Sequence, residues 1–413
     1  MGVAEESPTT ISHEAVERLM NNIICTNTRT LVPADVQPHP QKPRSAGAFN
    51  PGLDGVRGLS LLMIMVFHMT LIQPSGVLPT AVYVVANSCW VSVDLFFVLS
   101  GFLITGILLD SKGRSGYFRN FWTRRALRIL PLYYAVVAFS LLILPNLPHP
   151  KLNSFARISG DEWYYWVFLS NIGIANAGAF RHGILDVSWT LAIEEQFYLA
   201  FPIVVWLLSR RALAMLLAAI FVASGLFRLL LWLHDASPIA LYVLTPTRLE
   251  PIAAGAATAL IIRSNLGLAH FTKLAPVIVG VACTGLFVIF LLRFGLYWDD
   301  AMMQLGGYPL LAALYGVIVL RVALRPGAGG FLELPILQAF GRYSYAMYLF
   351  HLPIRGAIRD GIFAAGLWPT GPAAELLAQI IFYVVCITAT FVAGWCSYHF
   401  YEVHFLKLKK YFR

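Results

Sequence analysis

Apolar residues dominate the chain from residue 59 onward, in continuous runs broken by short stretches rich in charge, Gly and Pro. A run of about 20 such residues matches the hydrocarbon thickness of a bilayer when wound as helix, whereas a membrane β-barrel shows only weak alternation with period two. The pattern predicts an all-α, polytopic membrane protein with ten helices, over 57–78, 89–109, 129–147, 188–208, 212–233, 249–263, 275–294, 302–321, 337–354 and 375–400. The sixth is short. The longest connection is 148–187, whose segment WYYWVFLSNIGI has the aromatic character of an interfacial or re-entrant helix. Residues 1–50 are polar, Pro-rich near 33–51, and are expected to form a flexible cytoplasmic extension; 51–405 form the membrane domain and 406–413 a basic cytoplasmic tail. No cleaved signal peptide is visible in the extension, so the first span is expected to serve as its own insertion signal.

Composition agrees with the pattern: 58% of residues are hydrophobic and 12% charged, with a mean hydropathy of +0.69. Soluble domains carry about 25% charged residues. Charge then orients the helices, because cytoplasmic loops hold the excess of Lys and Arg. With ten spans, 22 of the 30 Lys and Arg fall on the side of the N-terminus, seven on the other, and Arg228 lies within a span. Both termini are therefore expected in the cytoplasm of a multi-pass plasma-membrane protein. The net charge of +9 reads as topology, not nucleic-acid binding. Cys25, Cys89, Cys283, Cys386 and Cys396 are scattered with no CxxC spacing, which argues against a disulfide framework or a zinc site.

Ionisable side chains inside a bilayer are costly, so each is a candidate functional residue. In LDGVRGLSLLMIMVFHM (53–69), Arg57 and His68 are 11 residues apart; at ~100° per residue they share one helix face, roughly 16 Å apart along the axis. An interhelical hydrogen bond would explain His68, but histidine alone titrates near neutral pH without help, so a general base or nucleophile is the functional alternative. In CWVSVDLFFVLSGFLITGIL (89–108), Asp94 lies near the outer end of a span, and Ser100-Gly101 reads as a small pair permitting close helix approach. In RNFWTRRALRILPLYY, Arg125 and Arg128 share a helical face with Arg124 alongside, where a cytoplasmic loop turns into the third span. Positive-inside charge would account for them, yet such a group also suits phosphates, those of coenzyme A included. In DVSWTLAIEEQFYLAFP (186–202), Ser188 reads as an N-cap, and Glu194 and Glu195 enter the membrane with Tyr198 on the next turn. Neighbouring residues point ~100° apart, so only one glutamate is expected to share an interior with Tyr198. In FGRYSYAMYLFHLPIR, Arg342 and His351 fall on opposite faces, and His351 precedes a Leu-Pro kink, where structural and functional roles are equally open. Sequences of the form GxxxxGK[ST], HExxH and GxSxG are absent, and nothing calls for a metal or a redox cofactor.

These five segments, in this order, resemble the acyltransferase-3 family of integral membrane acyltransferases, over roughly residues 51–405. Arg57 and His68 match its Arg-x10-His pattern, and Arg125 and Arg128 its Arg-x-x-Arg pattern. The resemblance implies a ten-helix bundle that moves an acyl group, commonly acetyl from acetyl-CoA, onto a hydroxyl of a cell-envelope glycan or a glycosylated small molecule. On that expectation Arg125 and Arg128, with Arg124 and Arg57, hold the phosphates of acyl-CoA. His68 deprotonates the acceptor or takes the acyl group itself. Glu194 or Glu195 polarises the histidine or positions the sugar, and Asp94, Tyr198 and His351 are the candidate acceptor-binding residues. No permanently bound cofactor is expected, since a thioester is already activated. The sequence runs to Arg413 with a short basic tail, so direct transfer is expected, or a separate extracytoplasmic protein supplying a further step. The rival class is a proton-coupled carrier of a small anion or sugar, which also needs intramembrane His, Glu and Arg but commonly shows an internal repeat, and none is found.

Overall fold

The computed structural model describes residues 50–146, 160–325 and 330–412. Residues 1–49 of the predicted 1–50 extension, 147–159 of the long connection, 326–329 and Arg413 lie outside the described residues.

The described chain is helical, with no strand among the described residues. The principal helices are α1 (Pro51–Met69), α2 (Ser92–Ser111), α3 (Tyr117–Ala138), α4 (Ser188–Leu207), α5 (Arg210–Leu233), α6 (Leu249–Ile262), α7 (Asn265–Arg293), α8 (Tyr308–Leu324), α9 (Pro335–Ala364) and α10 (Pro372–Ser397). Eight helical stretches among the described residues are long and apolar enough to cross a membrane, so the protein is a multi-pass membrane protein. The other two predicted ranges fall on α6, which is short at 14 residues, and on α9, which carries Arg342, Arg355, Arg359 and Asp360.

Boundaries differ from the hydropathy reading wherever the backbone winds beyond the apolar run. The first helix begins at Pro51, not 57, because the Asn50 side chain accepts from the backbone N–H of Gly52 at 3.0 Å and of Leu53 at 3.4 Å, with Pro51 in the first turn. Arg57 therefore stands on the second turn of α1. A helix over Val77–Ser88 leads through a 3-10 turn at Cys89–Val91 into α2. The third helix begins at Tyr117, so Arg124, Arg125 and Arg128 lie inside α3 and not at a loop boundary. Polar side chains lower hydropathy without interrupting a helix.

Two interfaces set the bundle's centre, and both rest on glycine. A Cβ built on Gly101 of α2 would lie 2.1 Å from the Ile252 carbonyl oxygen, and one on Gly255 of α6 would lie 1.9 Å from that of Val98. Between α1 and α9 the reciprocal pair is Gly58, 2.0 Å from the Leu337 carbonyl oxygen, and Gly341, 2.0 Å from that of Asp54. The backbones approach as small residues permit in membranes, so any larger side chain forces the helices apart.

A buried ionic core joins α2, α5 and α6. Arg228 donates to both carboxylate oxygens of Glu250, at 2.7 and 3.0 Å, and Arg248 donates to Asp94 at 2.5 Å. All four side chains are essentially inaccessible. The Arg248 guanidinium also lies 4.3 Å from the centroid of the Tyr308 ring. Arg248, just ahead of α6, is thus an interior partner.

Candidate active site

Helices α1, α2, α3, α4 and α9 enclose a cavity of about 330 Å3. Three guanidiniums, Arg57, Arg125 and Arg128, face it against two carboxylates, Asp54 and Glu194. Arg57 is paired within α1, its Nη1 lying 3.1 Å from Asp54 Oδ1. Arg125 sits over the Tyr198 ring, 5.2 Å from its centroid. Neither Arg125 nor Arg128 has a hydrogen bond or ion pair among the described residues, although both are half-buried. Unpaired guanidinium donors directed into a cavity form a receptor for a polyanion.

The carboxylate of Glu194 is held by two hydroxyls. Ser100 donates to Oε1 at 2.5 Å, Tyr198 donates to Oε2 at 3.1 Å, and the two hydroxyls are 3.1 Å apart. Glu194 and Tyr198 are one turn apart on α4, so one helix face presents both. Glu195, rotated away, does not line the cavity, and its buried Oε1 has no hydrogen-bond partner among the described residues. Ser100 faces the cavity while Gly101, ~100° further round α2, packs on α6. The packing role read for the pair belongs to Gly101, and Ser100 is a site residue that sequence reasoning missed.

At its inner end the cavity is lined by Thr190 and Tyr348, whose hydroxyls are 2.9 Å apart; the Tyr348 hydroxyl also donates to the Val187 carbonyl at 3.2 Å. Beyond Tyr348 stand two histidines. The Tyr348 ring lies 5.5 Å from that of His351, and His351 Nε2 lies 2.9 Å from His68 Nδ1. His351 is completely buried and His68 half-buried. The structure thus brings Arg57, Arg125, Arg128, Glu194 and Tyr198 into one cavity and places His68 and His351 directly behind its inner wall. Asp94 lies elsewhere, in the ionic core. Arg124 is exposed and donates through Nη1 to the Phe412 carbonyl at 3.2 Å, tethering the C-terminal segment to α3. No cluster of His, Cys, Asp or Glu among the described residues has metal-binding geometry.

A family model described as an acyltransferase domain, that of acyltransferase-3, matches residues 50–399, nearly the whole chain. The chain belongs to the acyltransferase-3 family. Among curated proteins it is similar to the peptidoglycan O-acetyltransferase OatA of Listeria monocytogenes, 26% identical over 390 residues, covering 87% of this chain and 56% of that one. It is also similar to the O-acetyltransferase OatA of Staphylococcus aureus, 29% identical over 326 residues, covering 74% of this chain and 50% of that one. The chain spans about half the length of the curated relatives it matches. No solved structure matches it. In this acyltransferase-3 chain, Arg57 of the Arg-x10-His element and both arginines of the Arg-x-x-Arg element line one cavity, contributed by α1 and α3, while His68 stands behind its wall.

Proposed function

We propose that this membrane protein is an O-acetyltransferase that moves an acetyl group from acetyl-CoA to a hydroxyl of a cell-envelope carbohydrate, peptidoglycan being the acceptor its relatives' names suggest. The observation that carries the reading is the cavity in which Arg125 and Arg128 stand unpaired while its far wall abuts the His68–His351 pair. The excess of Lys and Arg supports an orientation with the arginine-lined end toward the cytoplasm, where coenzyme A is available, and both termini on that side.

In this mechanism Arg125 and Arg128 hold the phosphates of the donor, and Arg57, steadied by Asp54, meets its next polar portion. The pantetheine arm runs along the cavity past Ser100 and Glu194 toward Tyr348. His68 acts as the base on the acceptor hydroxyl, which a positioned imidazole accelerates by about 10²–10⁴-fold. Glu194, already accepting from Ser100 and Tyr198, orients polar groups of the substrates without serving as the base. Family membership and the acetyltransferase relatives favour transfer over the carrier reading, since a carrier needs no thioester.

The test is transfer from labelled acetyl-CoA, in membranes holding native protein or His68→Ala at matched abundance, with a cell-wall glycan extract as acceptor. Transfer is expected to fall at least about 100-fold while donor binding persists. Undiminished transfer by His68→Ala would remove the histidine from the chemistry.

A further inference from the structure

The hydrogen bonds around the histidine pair determine where its hydrogens lie. His351 Nδ1 is 2.7 Å from the backbone carbonyl oxygen of Tyr348. A carbonyl oxygen only accepts, so Nδ1 of His351 carries the hydrogen. A neutral imidazole has one N–H, which leaves His351 Nε2 as a bare acceptor. That atom lies 2.9 Å from His68 Nδ1, so the hydrogen of this contact sits on His68. Neutral His68 then has its lone pair at Nε2, which has no partner among the described residues. No carboxylate among the described residues is hydrogen-bonded to either ring, and neutral rings are what a buried pair without a counter-charge adopts. Arg355 stands one turn beyond His351 on α9, its buried Nε without a hydrogen-bond partner among the described residues.

We propose that His351 is a positioning residue: it fixes His68 in the Nδ1–H tautomer and makes Nε2 the nitrogen that acts on the acceptor. The inference rests on the reading of His68 as the base. It replaces acceptor binding as the role of His351, whose two ring nitrogens are both engaged within the protein. The step balances through one atom. The acceptor oxygen bonds to the acyl carbon as its hydrogen passes to His68 Nε2, and the carbon–sulfur bond breaks. The departing thiolate then takes the proton from Nε2, giving ester, free thiol and the starting tautomer. His351 neither gains nor loses a proton. The arrangement follows the logic by which a third group orients the base beside a nucleophile, with a neutral ring in place of the usual carboxylate.

The experiment labels the full chain in detergent with ring-¹⁵N histidine and compares native protein, His351→Gln and His351→Ala. The His68 signals are assigned by their loss in His68→Ala. Acetyl transfer is measured on the same samples, and thermal unfolding confirms that each variant is folded. Gln at 351 offers an amide oxygen to the His68 Nδ1–H, and Ala offers nothing. The expected result is a bare Nε2 on His68 in native protein and His351→Gln, and a mixture of tautomers in His351→Ala. Transfer by His351→Ala is expected to fall about 10–100-fold in kcat, with donor KM unchanged, and to recover largely in His351→Gln. A bare Nδ1 on native His68, or a tautomer unmoved in His351→Ala, would overturn the proposal. If the tautomer is as stated yet His68→Ala still transfers acetyl, the tautomer assignment stands and the base reading falls.

Discussion

The ionic core and the cavity hold two groups of ionisable side chains that differ in how their charge is matched. In the ionic core, Arg228 meets Glu250 and Arg248 meets Asp94, cation for carboxylate, with all four side chains closed off. In the cavity, three guanidiniums face two carboxylates; one of these is engaged by Arg57 and the other by hydroxyls, so Arg125 and Arg128 stand open. The ionic core joins helices, while the cavity leaves two guanidiniums open to an anion of the kind proposed for the donor. An intramembrane charge is therefore a site only when its neighbourhood leaves it unmatched and reachable, and Asp94 fails that criterion although its position in the sequence suggests otherwise.

The comparison can be broken by substitution on each side. Removing Asp94 should strand Arg248 in the interior, so Asp94→Ala is expected to lower stability by about 3–5 kcal/mol, read as a fall in the thermal or denaturant midpoint in detergent. Replacing the pair together, Asp94→Leu with Arg248→Met, should recover much of that loss. If the single variant is as stable as native protein, the ionic core is not structural. On the cavity side, Arg125→Ala or Arg128→Ala should leave stability almost untouched and raise the donor KM, each by about 10–150-fold, as expected for a lost charge-assisted bond of ~1.5–3 kcal/mol. A fall in kcat with constant KM would move these arginines away from donor binding. Ser100→Ala removes one of the two hydroxyls on Glu194 and should cost about 1 kcal/mol of transfer efficiency, roughly fivefold, measured as kcat/KM. Arg124→Ala, at an exposed side chain outside the cavity, should change transfer and stability by no more than about 0.5 kcal/mol.

How far these features were legible in the sequence follows from how local each one is. Arg57 with His68 and Arg125 with Arg128 are spacings within single helices, and the period of 3.6 residues converts each spacing into a shared face. The same period splits Glu194 from Glu195, yet it does not say which of the two turns inward, because the rotation of α4 is set by its neighbours. Ser100 was hidden by Gly101. The pair reads as one packing element, and only the position of α6 shows that it has two faces. Pairings between distant segments were not legible at all: Asp94 with Arg248 is separated by 154 residues and His68 with His351 by 283, and no periodicity relates one helix to another. Hydropathy located the spans but not their starts. Asn50 caps α1 ahead of the apolar run, and α3 winds through four arginines before reaching its own.

If the unmatched arginines mark the donor site, direct binding of coenzyme A must depend on them. Labelled coenzyme A would be titrated onto detergent-solubilised native protein, the Arg125→Ala/Arg128→Ala double variant, and the Asp94→Leu/Arg248→Met variant as a control on the other charged region. Saturable binding is expected for native protein and for the control, with a Kd weakened at least about 100-fold in the cavity double variant. Equal binding of coenzyme A by native protein and the cavity double variant would contradict the donor-site assignment.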